Sequence, residues 1–182
     1  CNYFKDPIEL KNVLYEAKKK VSDINSFSIV AAALSLLYSG VTLSELCNVR
    51  GVDIDCEKHE LTTLSGRCIK VYDELWDNVN GILAEKILPF NSGIFDKRMF
   101  AVRNEIASKI ADKKITDSDM IYSKYFDKRS VFMSGIFYKA FINSIKSRDD
   151  FLFFFIDNIR NPKDMPQNIG IVFKIYLQWR EM

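Results

Sequence analysis

Hydrophobic residues recur at helical spacing along most of the chain, and the first helix is the easiest to delimit. In DPIELKNVLYEAKKKV, residues 6–21, Asp6 occupies an N-cap position and Pro7 the first helical position. An apolar stripe follows at spacings of three and four residues, formed by Leu10, Val13, Leu14, Ala17 and Val21. The pattern predicts an amphipathic helix that packs on a core.

The next segment, SFSIVAAALSLLYSG at residues 26–40, is almost continuously apolar. This composition predicts a helix that is buried on all sides, and Gly40 is suited to end it in a left-handed conformation. Thr42 and Glu45 then match the S/T-x-x-E capping box, with Thr42 as the N-cap of a short helix. We expect the long helix to run through the centre of the domain.

The pattern changes to short β-type segments after Gly51. VDID, ELTTLSG and RCIKVY, residues 52–55, 60–66 and 67–72, are rich in β-formers and are separated by CEKH and by Gly66. Helical spacing resumes at Asp73 and predicts helices over residues 73–88, 97–112, 116–126, 130–147, 149–160 and 167–181. The expected fold is mainly α, of the α+β class, with helices packed around a small three-stranded antiparallel sheet.

Composition places the chain in the ordinary globular range, with 182 residues, 48% of them hydrophobic and 27% charged. The longest apolar runs are about half the roughly 20 residues that span a bilayer, so we expect a cytoplasmic protein that does not enter membranes. Its four cysteines form no CxxC pair, and there is one histidine, so we expect buried reduced thiols, no metal site and no cofactor. The chain is expected to form one domain over residues 1–182, cut from a longer protein.

The positive charge is concentrated in the middle of the chain. Residues 96–148 carry 12 Lys and Arg against 6 Asp and Glu, although the net charge of the whole chain is only +2. Such a region could line an anionic partner, but solvated helix faces give the same count. Charge alone therefore leaves nucleic-acid binding open.

The segment LLYSGVTLSELCNVRGVDID, residues 36–55, carries the most specific signal in the sequence. It resembles the catalytic domain of the tyrosine recombinases, the phage integrase family, whose members typically read LLYTGLRxSELLxLxWxDID. The order of a buried helix, a glycine turn, a short capped helix, three strands and several helices also resembles that family. The resemblance implies a recombinase-like domain, here lacking the family's N-terminal DNA-binding domain, with duplex DNA as its partner.

The family's chemistry shows what the chain would need in order to cut DNA. A tyrosine attacks a DNA phosphate, two arginines clamp the nonbridging oxygens, and a lysine and histidines assist with protons. The register set by SGVTLSEL places Thr42 at the first arginine, and Arg50 is a poor substitute. The family's lysine lies in a β-hairpin turn, where this chain offers Arg67 or Lys70.

The second half of the chain matches the family only in its pattern. The best match to the family's HxLRHxxA motif is SGIFYKA, residues 134–140, with Ser134 at the histidine and Phe137 at the arginine. Another register would offer Arg129 or Arg148 as the second arginine. Tyr176 in the last predicted helix matches the nucleophile, the alternative being an aromatic residue that packs against the domain.

Three hypotheses follow from the sequence. The leading one is an integrase-like domain that binds DNA without cleaving it, with contacts from Arg67, Lys70, Arg129 and Lys139. The second is an active recombinase with rearranged catalytic residues and Tyr176 as its nucleophile. The third is a protein-interaction or self-associating module that reuses the fold, because the helix over residues 149–160, which includes Phe154, has more apolar residues than one face requires.

Overall fold

The computed structural model of the protein describes residues 3–83, 90, 92–111, 127–159 and 165–182. This part is mainly helical and contains a three-stranded antiparallel sheet, as the sequence predicts. The helices are α1 (Pro7–Lys18), α2 (Ile24–Tyr38), α3 (Leu43–Leu46), α4 (Asp73–Asn80), α5 (Ser92–Ala111), α6 (Lys128–Ile142), α7 (Arg148–Asn158) and α8 (Ile169–Arg180). The strands are β1 (Ile54–Asp55), β2 (Glu60–Thr62) and β3 (Cys68–Lys70), and a 3₁₀ turn covers Gly51–Asp53.

Helix α2 lies at the centre of the core, which confirms the prediction made from its apolar sequence. Every residue from Ile29 to Tyr38 is buried, and the helix packs against α4, α5 and α6. Its crossing with α6 is close, because a Cβ added at Gly135 would lie 2.6 Å from the carbonyl carbon of Tyr38. The absence of a side chain at Gly135 therefore lets the two backbones approach each other.

Polar side chains cap the N-termini of most of these helices. The Asp6 side chain accepts a hydrogen bond from the backbone N–H of Glu9, as predicted for α1. Asp127 caps α6, Ser147 caps α7 and Asn168 caps α8 in the same way. These caps satisfy backbone donors that the first turn of a helix leaves free, so they explain where each helix begins.

The sheet has the order β1-β2-β3, with Leu61 of the central strand opposite Ile54 and Ile69. These three side chains are buried on the core side, and their neighbours along the strands alternate outward. The first strand is shorter than predicted because Gly51–Asp53 forms a 3₁₀ turn. There the Asp53 carboxylate accepts hydrogen bonds from the backbone and guanidinium of Arg50.

Helix boundaries differ from the prediction at three main points. Helix α4 ends at Asn80, well short of the predicted residue 88, and α5 begins at Ser92 rather than at residue 97. Helix α6 ends at Ile142 because Ser144 adopts a left-handed conformation with φ of 58° and Ile145 N–H donates to the Ala140 carbonyl. A serine in that role is uncommon, so no residue at this point indicates a helix end. The predicted helix at residues 116–126 lies outside the described residues.

The prediction of buried thiols is wrong for the three cysteines that the structure describes. Cys47, Cys56 and Cys68 are all exposed. Cys47 follows the four-residue helix α3 on its solvent side, Cys56 lies in the turn after β1, and Cys68 points away from the core because its neighbour Ile69 points inward.

Within the described ranges, no helix has both the length and the apolar character needed to cross a bilayer.

Candidate functional site

The turn between α2 and α3 is the centre of the candidate site. Helix α2 ends in a Schellman motif, in which Gly40 N–H donates to the Leu37 carbonyl and Val41 N–H to the Leu36 carbonyl. Gly40 has a φ of +103°, a conformation that side-chain-bearing residues rarely adopt. The carbonyls of Ser39 and Gly40 remain for partners outside the helix.

Two basic side chains from distant parts of the chain donate to those carbonyls. Lys139 Nζ on α6 lies 2.6 Å from the Ser39 carbonyl oxygen, and Arg67 Nη2, from the β2–β3 turn, lies 3.2 Å from that of Gly40. Cations are favourable at a helix C-terminus, where the unpaired carbonyls carry partial negative charge. Both residues therefore cap the central helix of the fold.

The pKa of Lys139 is lowered by its position at the end of α2. Burial of its ammonium, together with the nearby positive charge of Arg67, lowers the pKa to about 8. Among the described residues no carboxylate pairs with Lys139, so the Ser39 carbonyl oxygen compensates its charge. The amine lies close to Gly40, where an added Cβ would be 2.6 Å from Nζ.

Thr42 begins the next helix immediately after this turn and forms the predicted capping box. Its Oγ1 accepts a hydrogen bond from Glu45 N–H at 3.2 Å, and Glu45 Oε2 accepts one from Thr42 N–H at 3.0 Å. The same Glu45 oxygen lies 2.7 Å from Nη1 of Arg67. Because Thr42 is 1% exposed and Arg67 8% exposed, the cluster is closed by protein groups.

The positions matched to the family's second arginine and its histidine lie in a different environment. Ser134 Oγ accepts a hydrogen bond from Phe4 N–H at 2.9 Å and donates to the Ser130 carbonyl at 2.7 Å. Phe137 is fully buried, and its ring contacts those of Tyr3 and Tyr176. Both side chains are therefore used in joining α6 to its neighbours.

Tyr176, the candidate nucleophile, belongs to the same aromatic cluster. It is fully buried, stacks on Phe151 with ring centroids 4.9 Å apart, and donates its hydroxyl hydrogen to the Ile145 carbonyl at 2.9 Å. Burial raises the pKa of its hydroxyl, although the nearby Arg180 opposes that rise. A nucleophilic tyrosine needs access to its target and help in losing its proton. In this structure the Tyr176 hydroxyl serves the packing of α8.

The four residues predicted to contact DNA do not form one surface. Arg67 and Lys139 meet at the Gly40 turn, whereas Lys70 donates to the Lys58 carbonyl at 2.7 Å and lies 4.0 Å from Asp73. Arg129, in the first turn of α6, is exposed and makes no hydrogen bond or ion pair with any described residue. Arg129 is therefore the candidate whose guanidinium is available to a ligand.

Sequence reasoning missed the link between Glu45 and Arg67. The capping box predicts the contacts that Glu45 makes with Thr42, but nothing local indicates an ion pair across 22 residues. A buried arginine requires a compensating partner. The position of Arg67, in a β-hairpin turn just before a strand that faces the core, was the available signal that it has one.

The single histidine, His59, stacks on Trp76 and pairs with Asp73 at 2.8 Å. In the part of the chain that the structure describes, no three His, Cys, Asp or Glu residues are grouped as a metal site would require.

Comparison of the chain with protein-family models, with curated proteins and with solved structures finds no match. The resemblance of residues 36–55 to the tyrosine recombinases therefore stays a prediction.

Proposed function

We propose that this chain is a DNA-binding domain of the tyrosine-recombinase type that does not cleave DNA. The observation that carries the proposal is the convergence of Thr42, Arg67 and Lys139 on the Gly40 turn, where the resemblance expects the phosphate-binding centre. The contacts of the side chains, however, are with the protein.

The loss of cleavage follows from the chemistry of these positions. A phosphoryl transition state needs fixed cationic donors, and removal of one such donor typically costs about 10² to 10³ in rate. Thr42 is neutral, Arg67 is bound to Glu45 and Gly40, and Phe137 is apolar. With these donors absent or already occupied, the remaining groups cannot stabilise the charge that develops on the phosphate.

DNA binding is a separate property and rests on exposed charge. Arg129 is exposed and has no partner among the described residues, and it lies in the most basic part of the sequence. Exposed cations in the same stretch are Lys97, Arg103, Lys146 and Arg148. Such side chains bind duplex DNA through phosphate contacts that release counterions. We propose a cytoplasmic location for the protein, as expected from its sequence.

The test is a salt titration of DNA binding by fluorescence anisotropy with a labelled duplex. The wild-type affinity should fall as salt is raised from about 50 mM to about 200 mM, with a slope of about −0.9 per phosphate contact. Arg129→Gln should weaken binding to every duplex sequence alike and make the slope shallower by about 1.

Lys11→Gln is the matched control, because Lys11 is an exposed cation on α1, outside the basic region. It removes the same formal charge, so a general effect of net charge would appear equally in both variants. Absence of binding at low salt, or equal losses in Arg129→Gln and Lys11→Gln, would remove the support for DNA binding through this region.

A second candidate function, protein interaction, is favoured by one observation on α7. Phe153 is 66% exposed and Ile156 is also exposed, whereas Phe154 packs partly against the core. Phe153 is therefore the position at which to test this surface. If α7 mediates self-association, Phe153→Ser should dissociate a dimer in analytical ultracentrifugation without lowering the melting temperature. A wild-type chain that stays monomeric up to high concentration would exclude self-association.

A further inference from the structure

A second cleft lies between the N-terminal segment, α3, α6, residues 165–167 and α8. Its volume is about 700 Å³, and Tyr3, Leu43, Met133, Met165 and Ile175 come to its walls from these five parts of the fold. Small-molecule sites in proteins typically measure about 300 to 1,000 Å³. The cleft is therefore large enough to enclose much of a small organic ligand.

Most of the side chains that line the cleft are apolar. Phe132 and Phe137 form its buried part, and Met133, Val172 and Ile175 are partly exposed to it. None of these side chains can hydrogen-bond a polar ligand strongly. The walls therefore favour a ligand with a hydrocarbon or aromatic body.

Four polar residues line the cleft: Arg129 and Ser130 lie in the first turn of α6, Tyr3 in the N-terminal segment and Gln167 just before α8. Ser130 lines the cleft, but both its N–H and its Oγ donate to Asp127 Oδ2 at 2.8 Å. The neighbouring Lys128 pairs with Asp96 at 2.7 Å, outside the cleft. Arg129 alone among these charged neighbours lines the cleft, and its guanidinium has no partner in the described structure.

The guanidinium of Arg129 indicates which polar group a ligand of this cleft would carry. A guanidinium presents N–H donors in a planar fork that matches a carboxylate in a bidentate geometry. The Asp127 carboxylate does not line the cleft and already accepts two hydrogen bonds from Ser130. A ligand carboxylate would meet Arg129 without displacing an existing ion pair.

We propose that the cleft binds a small amphipathic carboxylate, with its carboxylate on Arg129 and its apolar body against Met133, Val172 and Ile175. This site and the proposed DNA binding both use Arg129, but only this site uses the apolar side chains of the cleft. It would give the domain a means of responding to a small molecule.

The test compares three soluble probes with the same phenylpropyl body, namely 3-phenylpropionate, 3-phenylpropan-1-ol and 3-phenylpropylamine, by ligand-detected NMR titration. The carboxylate should bind in a saturable manner and the alcohol about tenfold more weakly or worse, because it lacks the charge-assisted pair. The amine should bind most weakly of the three, since it carries the same charge as Arg129.

Two variants locate the site and separate it from the DNA function. Arg129→Gln should weaken 3-phenylpropionate about tenfold and leave the alcohol unchanged, while Lys11→Gln should change neither. Ile175→Trp should fill the cleft and reduce binding of all three probes, yet leave the DNA affinity unchanged. Melting temperatures within a few degrees of the wild type would show that each variant is folded.

The proposal is overturned if 3-phenylpropionate shows no saturable binding, if the alcohol binds as well as the carboxylate, or if Arg129→Gln binds both with wild-type affinity. Unchanged binding in folded Ile175→Trp would place the ligand elsewhere. Because these titrations contain no DNA, their failure leaves the proposed DNA binding untouched. If the protein fails to bind DNA, the proposal for the cleft is still tested by the titrations with the three probes.

Discussion

The substitution Gly135→Ala tests the packing that holds the candidate site together. An added Cβ would lie 2.6 Å from the carbonyl carbon and 2.9 Å from the Cα of Tyr38, and closer still to the carbonyl oxygen. All three atoms belong to the backbone of α2, so no side chain can rotate away. Helices α2 and α6 would have to move apart at their crossing.

The magnitude follows from three opposing contributions. Overpacking in a rigid core costs about 3 kcal/mol at its upper range, and loss of the Lys139 hydrogen bond one turn further along α6 costs about 1 kcal/mol. The better helix propensity of alanine returns about 1 kcal/mol. The net loss is about 3 kcal/mol, which corresponds to a melting temperature lower by about 6 to 12 °C for a domain of this size.

Gly81→Ala is the matched control for this prediction. Its added Cβ would lie 3.4 Å from the Asp77 carbonyl oxygen, an ordinary contact, and its φ of −61° suits alanine. That variant should be neutral or more stable by up to about 1 kcal/mol. Thermal unfolding followed by circular dichroism measures both. Equal melting temperatures for the two variants would refute the close crossing of α2 and α6.

Three further predictions concern the site itself. Thr42→Ala should lower the free energy of unfolding by about 0.5 to 2 kcal/mol in urea titrations, whereas Thr42→Ser keeps the cap and should stay close to wild type; equal losses would contradict the capping role. Since the pKa of Lys139 is about 8 in the folded chain and about 10.4 when unfolded, the unfolded state binds the proton more tightly between these values. The free energy of unfolding of the wild type, relative to that of Lys139→Met, should therefore rise by about 1 kcal/mol from about pH 7 to about pH 9. Urea titrations measure both proteins, and a difference between them that stays constant or falls over this range would contradict the burial of the charge. Tyr176→Phe should lower stability by about 0.5 to 1.5 kcal/mol through the lost bond to Ile145, and an unchanged urea midpoint would contradict that bond.

Local patterns predicted the parts of the fold that depend on neighbouring residues. The end of α2 at Gly40, the capping box of Thr42 and Glu45, and the N-cap of Asp6 are confirmed. Each depends on residues within five positions of one another, so its physics is visible in a short window. The sheet was placed correctly for the same reason, although its strands were predicted too long.

The contacts that define the site depend on residues far apart in sequence. Arg67 reaches Gly40 across 27 residues and Lys139 reaches Ser39 across 100. Neither side chain shows in sequence whether it will face solvent or a helix end. Both were predicted to contact DNA, and the structure instead shows both bonded to backbone carbonyls.

The cleft could not have been predicted from sequence at all. Its walls come from five separate segments, and Arg129 differs from the other basic residues of its region only in what surrounds it. Ser130 pairs with Asp127 and Lys128 with Asp96, and Arg129 has no partner among the residues that the structure describes. A binding site of this kind arises from packing, for which a single sequence carries no periodic signal.

A nicked suicide duplex, labelled on the strand to be cut, tests the central claim most directly, since one sample reports both binding and cleavage. Anisotropy at low salt measures binding, and denaturing gel electrophoresis of the same sample detects any covalent protein–DNA adduct. Our account predicts salt-sensitive binding with no adduct, for the wild type and for Thr42→Arg alike, because Phe137 still leaves the second arginine position empty. An adduct with the wild type that disappears in Tyr176→Phe would contradict the claim and establish an active recombinase.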